Sequence, residues 1–301
     1  MFWRKEVIMR ILVAVDQHPY SAHVVKDVAK LAANTWADVT LLGVGPKETD
    51  IGRSSSRGGI KHPLAEKLKK YRRNFLDHFE KEESPYEKQS CSYEFIEVKR
   101  GIWEELYICR GARKDLRTVL RPGNPVKEIL AQTQEDDSDL VAMGCSKGGG
   151  CQWEGAMNLP QKVANSATCS VLVVKQEKQI RKIVCCLDQE NISQKSIEMI
   201  NQMVTMYQTE LEIVGLTDKA ALKPKVEKNL EAILKYYNAR QIKAWIKLVE
   251  TASLESFISQ EAQRSMMALW MGGQSIFTKM FPRGKVDKLI QGSQSSVLLL
   301  R

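Results

Sequence analysis

Two aspartates that close similar apolar runs are the first residues whose chemistry matters. Asp16 follows the run RILVAV, and Asp188 follows KIVCCL in the second half of the chain. In open α/β sheets, ligands bind beyond the carboxyl ends of the strands, where a carboxylate can accept hydrogen bonds from a bound molecule. The first segment therefore places Asp16 where a ligand crevice would lie, and Asp188 occupies the corresponding position in the second half.

A glycine-rich segment, AMGCSKGGGCQWEG from Ala142 to Gly155, is the second candidate. It follows an apolar, strand-like run and precedes NLPQKVA, which has the pattern of a helix start, with Asn158 as cap and Gln161 completing a capping box. A helix N-terminus favours an anion, so the segment suits phosphate. The alternative is a loop that caps a helix and binds nothing. It is not a Walker A loop, because no Gly-Lys-Ser/Thr closes it.

Support for catalysis or metal binding is weak. The four histidines show no metal-ligand spacing, and neither a Gly-x-Ser-x-Gly nor an HExxH motif occurs. The seven cysteines are scattered and odd in number, which favours reduced, buried thiols. Cys145 and Cys151 flank the glycine-rich segment and would be redox-sensitive only if their pKa were low. We expect no catalytic residues, no metal site and no enzyme activity.

The composition favours a soluble protein of two domains. The chain has 301 residues, of which 43% are hydrophobic and 27% charged, with a net charge of +9. Without an apolar run long enough to span a bilayer and without a signal-peptide pattern, we expect a cytoplasmic location and no membrane span. The basic run from Glu66 to Arg73 has the period of a solvated helix face. Nucleic acid is an unfavoured partner, because no zinc-finger, RNP or helix-turn-helix signature accompanies the charge.

The chain is an internal repeat. Besides the two strand–Asp starts, the segment SVLVVK is similar to SVLLLR at residues 296–301, and DLVAMGCS is similar to MALWMGGQ. In each half, continuous apolar strands alternate with amphipathic helices, which is typical of parallel sheets covered on both faces. The repeat predicts domains at residues 1–176 and 182–301, joined by a short link.

The first domain carries two inserts, near residues 45–62 and 84–112. The first contains GRSSSRGG, a polar, glycine-rich stretch typical of a loop. In the second, Tyr93 to Cys109 has two β-prone runs around Lys-Arg-Gly, which favours a hairpin. A helical turn at IWEELYIC is the alternative.

Three segments together resemble the universal stress protein family: the strand–Asp start, RPGNPVKEIL, and DLVAMG followed by the loop, helix and VLVVK. The chain is similar to a tandem two-domain member. The resemblance implies an α/β fold of two open-sheet domains, each a five-stranded parallel sheet flanked by helices. This fold is Rossmann-like, of the adenine nucleotide alpha hydrolase-like type.

The resemblance also implies ATP, or another adenine nucleotide, with Mg²⁺ in the first domain. Nucleotide-binding relatives carry Gly-x2-Gly-x9-Gly-Ser/Thr after the fourth strand, and here Lys147 and Met157 occupy the second and third glycine positions. Met157 is expected to crowd the ribose–phosphate position. The implied nucleotide-binding residues are Asp16, Val44, Gly144, Lys147, Gly150, Asn158 and Leu159.

The second domain departs further from the family pattern. It keeps Gly272, but the next motif positions fall on Ser275, Lys285 and Val286. Phe277, Met280 and Phe281 make its loop apolar, so we expect this loop to pack against its neighbour, with an apolar ligand pocket as the alternative. Asp188 and Leu216 correspond to Asp16 and Val44 of the first domain, the positions at which relatives hold the adenine side of the nucleotide.

Two functions remain open. The chain is either a cytosolic stress-response regulator that binds an adenine nucleotide in the first domain, or a stress-associated protein-interaction module that binds none and acts through its inserts and basic surface. The protein partner is unknown. Pairing of VLVVK with VLLLR would make the chain a pseudo-dimer, and a homodimer of whole chains remains open.

Overall fold

The computed structural model describes residues 9–45, 63–79, 84–86, 93–107, 113–146, 151–153, 156–175, 179–187, 193–217, 222–272 and 281–301. They belong to two compact units. The first contains the chain to Gly144 together with Gln152–Leu159, and the second contains Cys145–Cys151 and Pro160–Arg301. The expected domain limits at residues 176 and 182 stay a prediction.

The first unit contains eight described strands and three described helices. Its strands are β1 (Arg10–Val15), β2 (Asp38–Gly45), β3 (Tyr93–Lys99), β4 (Ile102–Tyr107), β5 (Leu116–Pro122), β6 (Leu140–Cys145), β7 (Gln152–Trp153) and β8 (Ala156–Met157). Its helices are α1 (Tyr20–Thr35), α2 (Pro63–Leu76) and α3 (Pro125–Glu135).

The main sheet of the first unit has the order β6-β1-β2-β5-β4-β3. The first four of these strands are parallel, whereas β3 and β4 form an antiparallel hairpin on β5. Ile11 lies opposite Val39 on one side and Leu140 on the other. The strand order therefore reverses at β1, which has the first repeat's second and fourth strands as neighbours. The region beyond the carboxyl ends of β1 and β6, which we call the crevice, is where open α/β sheets bind ligands.

The hairpin of the second insert is confirmed, and the helical alternative is wrong. Its turn contains Gly101 at φ 74°, a left-handed conformation that glycine adopts without steric cost. The Gly101 amide donates to Oε1 of Glu97 at 2.6 Å. Residues 46–62, nearly all of the other insert, lie outside the described residues.

Apolar periodicity explains how the first unit packs. Val24, Val25, Val28 and Leu31 form the buried stripe of α1 that the sequence predicts, each contributing about 1.5–3 kcal/mol of transfer free energy. Helix α2 approaches β2 closely at Gly43, where an added Cβ would lie 2.9 Å from Cδ2 of Leu64. At α3, the Asn124 side chain caps the helix by accepting from the Lys127 amide, and Pro125 occupies the first turn.

The second unit holds the remaining elements. Its strands are β9 (Ser170–Lys175), β10 (Lys182–Cys186), β11 (Glu210–Thr217), β12 (Ala244–Glu250), β13 (Met266–Trp270) and β14 (Val297–Leu300). Its helices are α4 (Leu159–Ser166), α5 (Gln194–Tyr207), α6 (Pro224–Asn238), α7 (Leu254–Glu261) and α8 (Arg283–Gly292), with a 3-10 turn at Thr251–Ser253.

The sheet of the second unit has the order β12-β11-β10-β13-β14-β9. Strands β10 to β14 are parallel, which gives the five-stranded parallel sheet that the repeat predicts. Strand β9 runs antiparallel to β14, with Val173 opposite Val297 and Val171 opposite Leu299. The predicted pairing of the two final repeat strands is therefore observed, and the α/β fold class with mostly parallel open sheets is confirmed.

One expectation about the cysteines is wrong. Cys145 and Cys151 are joined by a disulfide rather than being reduced thiols, because the chain brings their Cα atoms to 4.8 Å. Among the described residues, Cys185 and Cys186 are buried free thiols.

Candidate functional site

Asp16 lies directly beyond β1, and its carboxylate is held by groups of its own turn. The residue is only 3% exposed. Its Oδ1 accepts from the Ser21 hydroxyl at 2.8 Å and from the His18 amide at 3.0 Å, and its Oδ2 accepts from the Tyr20 hydroxyl at 2.5 Å. The contact to the amide two residues on is an Asx turn, a local conformation that Asp favours. Both carboxylate oxygens are therefore engaged within the first unit.

Tyr71 ties α2 to the same turn. Its hydroxyl donates to the carbonyl oxygen of Asp16 at 3.0 Å. Burial, together with the nearby charge of Asp16, raises the pKa of Tyr71. The phenol therefore stays a neutral donor over the whole physiological range and fixes the position of the Asp16 backbone.

Gly144 lies on the neighbouring strand, and the ring of Tyr20 packs on it. A Cβ added to Gly144 would lie 2.4 Å from Cδ2 of Tyr20 and 3.1 Å from a methyl carbon of Val24. Tyr20 is 4% exposed. The glycine thus admits a close approach, as the sequence predicts, but the group that approaches it is an aromatic side chain of α1.

Trp153 completes this aromatic cover. Its indole Nε1 donates to the carbonyl oxygen of Gly144 at 3.0 Å, and its ring centroid lies 6.2 Å from that of Tyr20. The His18 ring also stacks with that of Tyr20, at a centroid distance of 5.3 Å. Tyr20 and Trp153 are both buried. We call these two side chains, which lie between the ends of β1 and β6, the aromatic plug.

The other predicted nucleotide-binding residues are distributed as follows. Val44 is half-buried near the end of β2, and Leu159 is fully buried at the start of α4. Lys147 and Gly150 lie outside the described residues. The structure therefore brings Asp16 and Gly144 to one crevice through their shared contact with Tyr20.

The expected cap at Asn158 is wrong. Asn158 has φ 55°, in the left-handed region, whereas an N-cap residue adopts an extended backbone. Oε1 of Gln161, the atom that a capping box would use, has no hydrogen-bond partner in the described part of the chain. Asn tolerates the left-handed conformation better than most residues, which explains its presence at the turn between β8 and α4.

Met157 does not fill the crevice. It lies in β8 and is 80% exposed. The β7–β8 ribbon, with Gln152 opposite Met157, turns this side chain to solvent. Crowding of the crevice comes from the aromatic plug instead.

The described motif positions of the second repeat make contacts with neighbouring residues or are buried, fully or in part. Trp270 packs on Gly272, where an added Cβ would lie 2.6 Å from the indole. Val286 is buried, and the Lys285 ammonium pairs with Glu255 at 2.5 Å. Leu216 is half-buried in β11. Asp188, Ser275, Phe277 and Met280 lie outside the described residues.

Arg72 explains part of the basic run on α2. It is buried and its Nε lies 3.4 Å from Oε2 of Glu105 on β4, so this charge links the helix to the hairpin. Lys70 and Arg73 are exposed, as the solvated-face interpretation predicts.

Two searches of the described residues were negative. No group of three or more His, Cys, Asp or Glu side chains there could hold a metal ion. Within the same residues, no helix combines the length and apolar character that a bilayer crossing requires.

Sequence reasoning missed Tyr20, Tyr71 and Trp153. The signal for Tyr20 was its spacing, four residues after the strand-end aspartate and at the first position of α1. The signal for Trp153 was a large aromatic residue inside a glycine-rich segment. Neither pattern predicts the direction in which the aromatic ring points, because this direction depends on packing between segments that are distant in sequence.

The model of the universal stress protein family matches residues 8–175. The chain belongs to the universal stress protein family, since the match covers more than half of its length. No curated protein matches the sequence significantly.

Solved structures share the fold over nearly the whole chain. A universal stress protein from Archaeoglobus fulgidus DSM 4304 is 13% identical, with coverage of 97% of this chain and 96% of that one and a TM-score of 0.52. A putative universal stress protein from Pseudomonas aeruginosa UCBPP-PA14 is 13% identical, with coverage of 98% and 93% and a TM-score of 0.56. The cytoplasmic domain of a prokaryotic cation chloride cotransporter is 10% identical, with coverage of 97% and 95% and a TM-score of 0.53.

Proposed function

We propose that this universal stress protein is a stress-associated protein-interaction module whose first-repeat crevice holds no nucleotide. The observation that carries the proposal is the packing of Tyr20 on Gly144. The residues present do not fit an adenine nucleotide in this arrangement, because the plug lies against the backbone that a nucleotide would have to approach.

Hydrogen bonding opposes nucleotide entry as well. The Asp16 carboxylate already accepts three hydrogen bonds, from the His18 amide and from the hydroxyls of Tyr20 and Ser21 at the start of α1. An incoming ribose or adenine would have to replace the Tyr20 hydroxyl, and a bond gained in exchange for a bond lost contributes little net free energy. Moving the buried Tyr20 ring would also expose apolar surface, at a cost of about 25 cal/mol per Å².

The hairpin insert supplies the surface that supports an interaction role. Strand β3 is the outermost strand of the first unit's sheet, and its Ile96 and Val98 side chains are 38% and 46% exposed. Glu97 lies between these two residues in sequence, and Lys99 follows Val98. Among the described strands, β3 pairs with β4 alone, and an edge strand with apolar side chains between charges is suited to a partner that adds a strand or an apolar segment.

The second candidate is binding of ATP, or another adenine nucleotide with Mg²⁺, after the plug has moved. Membership of the family and the position of Asp16 and Gly144 at one crevice favour it. In that case the nucleotide would have to bind a conformation in which Tyr20 leaves Gly144, and its affinity would fall with the fraction of chains in that conformation.

The cytoplasmic location, the absence of enzyme activity, the pseudo-dimer and a further homodimer belong to the same proposal. The pairing of β9 with β14 supports the pseudo-dimer, since it uses the final strand of each repeat.

Nucleotide carry-over tests the proposal without any variant. The full chain is purified without added nucleotide and denatured, and the supernatant is analysed by chromatography and mass spectrometry. We expect no stoichiometric adenine nucleotide. About one adenine nucleotide per chain would overturn the proposal and favour the second candidate.

A further inference from the structure

The disulfide between Cys145 and Cys151 lies beside a buried cation. Cys145 ends β6, Cys151 follows six positions later, and both belong to the second unit. Lys175, the last residue of β9, is 5% exposed, and its Nζ lies 3.1 Å from Sγ of Cys145. An ammonium group at this distance from a sulfur atom is the arrangement that stabilises a thiolate.

Burial strengthens this interaction. Removal from water lowers the pKa of Lys175 to about 8, so the side chain remains mostly protonated at pH 7. A charge with reduced hydration interacts more strongly with a neighbouring charge than an exposed one does. If the sulfur of Cys145 became anionic, Lys175 would lie in position to donate a charge-assisted hydrogen bond to it.

A second contact keeps the two cysteines close without the disulfide. Trp153, two residues after Cys151, donates to the carbonyl oxygen of Gly144, the residue before Cys145. The chain between these anchors is short, so the entropy lost on closing it again is small. Reduction and reoxidation can therefore occur without separating the flanking segments.

We propose that the Cys145–Cys151 disulfide is a reversible redox site that undergoes thiol–disulfide exchange with dithiol reductants. In this exchange Lys175 stabilises Cys145 as the departing thiolate. A thiolate of the dithiol attacks Sγ of Cys151, the protein S–S bond breaks, and its electron pair goes to Sγ of Cys145. The second thiolate of the reductant then attacks the mixed disulfide and releases Cys151 as a thiolate, which takes up a proton. The protein disulfide is reduced by two electrons, and the dithiol is oxidised to a disulfide.

The free thiols of the second unit provide an internal contrast. Cys185 and Cys186 are as buried as Cys145, but burial raises the pKa of both thiols. The repeat also offers a matched control for the cation. Arg301 directly follows β14, so it corresponds in the repeat to Lys175 at the end of β9. Its guanidinium donates to the carbonyl oxygens of Cys169 and Ala164.

The test is the rate of reduction of the full chain by dithiothreitol at pH 7. Timed samples are alkylated with iodoacetamide, and peptide mass spectrometry gives the reduced fraction of Cys145–Cys151. Because a poorer leaving thiolate slows exchange, Lys175→Met should reduce about tenfold more slowly than the unmodified chain. Lys175→Arg, which keeps the charge, and Arg301→Met should stay within about threefold of it.

Two results would overturn the proposal. One is an unchanged rate in Lys175→Met, and the other is recovery of Cys145 and Cys151 as free thiols from protein purified in air without reductant. A second measurement avoids the variants in case Lys175→Met does not fold. In the reduced, unmodified chain, iodoacetamide should modify Cys145 at least about tenfold faster than Cys185, and equal rates would count against the role of Lys175.

Discussion

Tyr20 packs on the backbone of Gly144, and its hydroxyl donates to Asp16 at 2.5 Å. One side chain of α1 therefore engages both residues by which the first repeat resembles nucleotide-binding relatives. The described contacts of Asp16 and Gly144 are made with residues of the same unit. This relationship underlies the first two predictions.

Gly144→Ala should destabilise the chain by about 1–3 kcal/mol, because the added methyl group would overlap the ring of Tyr20. Urea unfolding measures the change. The loss should shrink in a Tyr20→Ala background, since the ring is then absent. Gly284→Ala is the control, because nothing lies within 4 Å of its added Cβ. Equal stability of Gly144→Ala and the unmodified chain would mean that the ring does not pack on this glycine.

Asp16→Ala should cost about 2–4 kcal/mol of unfolding free energy, because it leaves the donors of Tyr20 and Ser21 without their buried acceptor. Thermal or urea unfolding gives the value. Asp137→Asn is the matched control, since Asp137 has a side chain that is 93% exposed and Asn tolerates its left-handed backbone. A loss no larger than that of the control would contradict the hydrogen-bonding role of Asp16.

The buried pair Arg72–Glu105 should show strong coupling. Arg72→Met leaves the Glu105 carboxylate buried without its cation and should cost about 3–5 kcal/mol. Combining it with Glu105→Leu should restore much of the loss, because no buried charge remains. A double-mutant cycle in urea measures the coupling. Additive losses would show that α2 and the hairpin are not linked through this pair.

Glu261 should make stability depend on acid pH. Burial alone would raise the pKa of Glu261, but hydrogen bonds from Arg264, Lys182 and Ser265 outweigh it and lower the pKa to about 2. A lowered pKa means that the contribution is present above the ordinary value of 4.5 and is lost as pH falls from about 4.5 to 2. The urea midpoint should fall across this range and fall less steeply in Glu261→Gln. The exposed Glu255→Gln serves as control, and identical slopes for both variants would count against the assignment.

The strands were predictable because burial on both faces leaves continuous apolar runs, as in RILVAV and SVLVVK. The repeat indicated which strands correspond, and the pairing of β9 with β14 was an expectation from the family resemblance that their apolar character matched. The hairpin was also foreseeable, because Gly101 lies between two β-prone runs.

The candidate site was predictable only in part. Position in the fold follows from sequence, so Asp16 and Gly144 were placed at one crevice. What fills the crevice depends on the direction of the Tyr20 and Trp153 rings, which is decided by packing between segments far apart in sequence. The disulfide was missed for a different reason, since the spacing of Cys145 and Cys151 matches no disulfide or metal motif and the odd number of cysteines favoured reduced thiols.

Calorimetric titration of the nucleotide-free chain with ATP and Mg²⁺ is the most direct test of the aromatic plug. We expect no saturable heat for the unmodified chain, because Tyr20 packs on Gly144 and its hydroxyl donates to Asp16. Saturable binding of one ATP per chain that disappears in Asp16→Asn would contradict it.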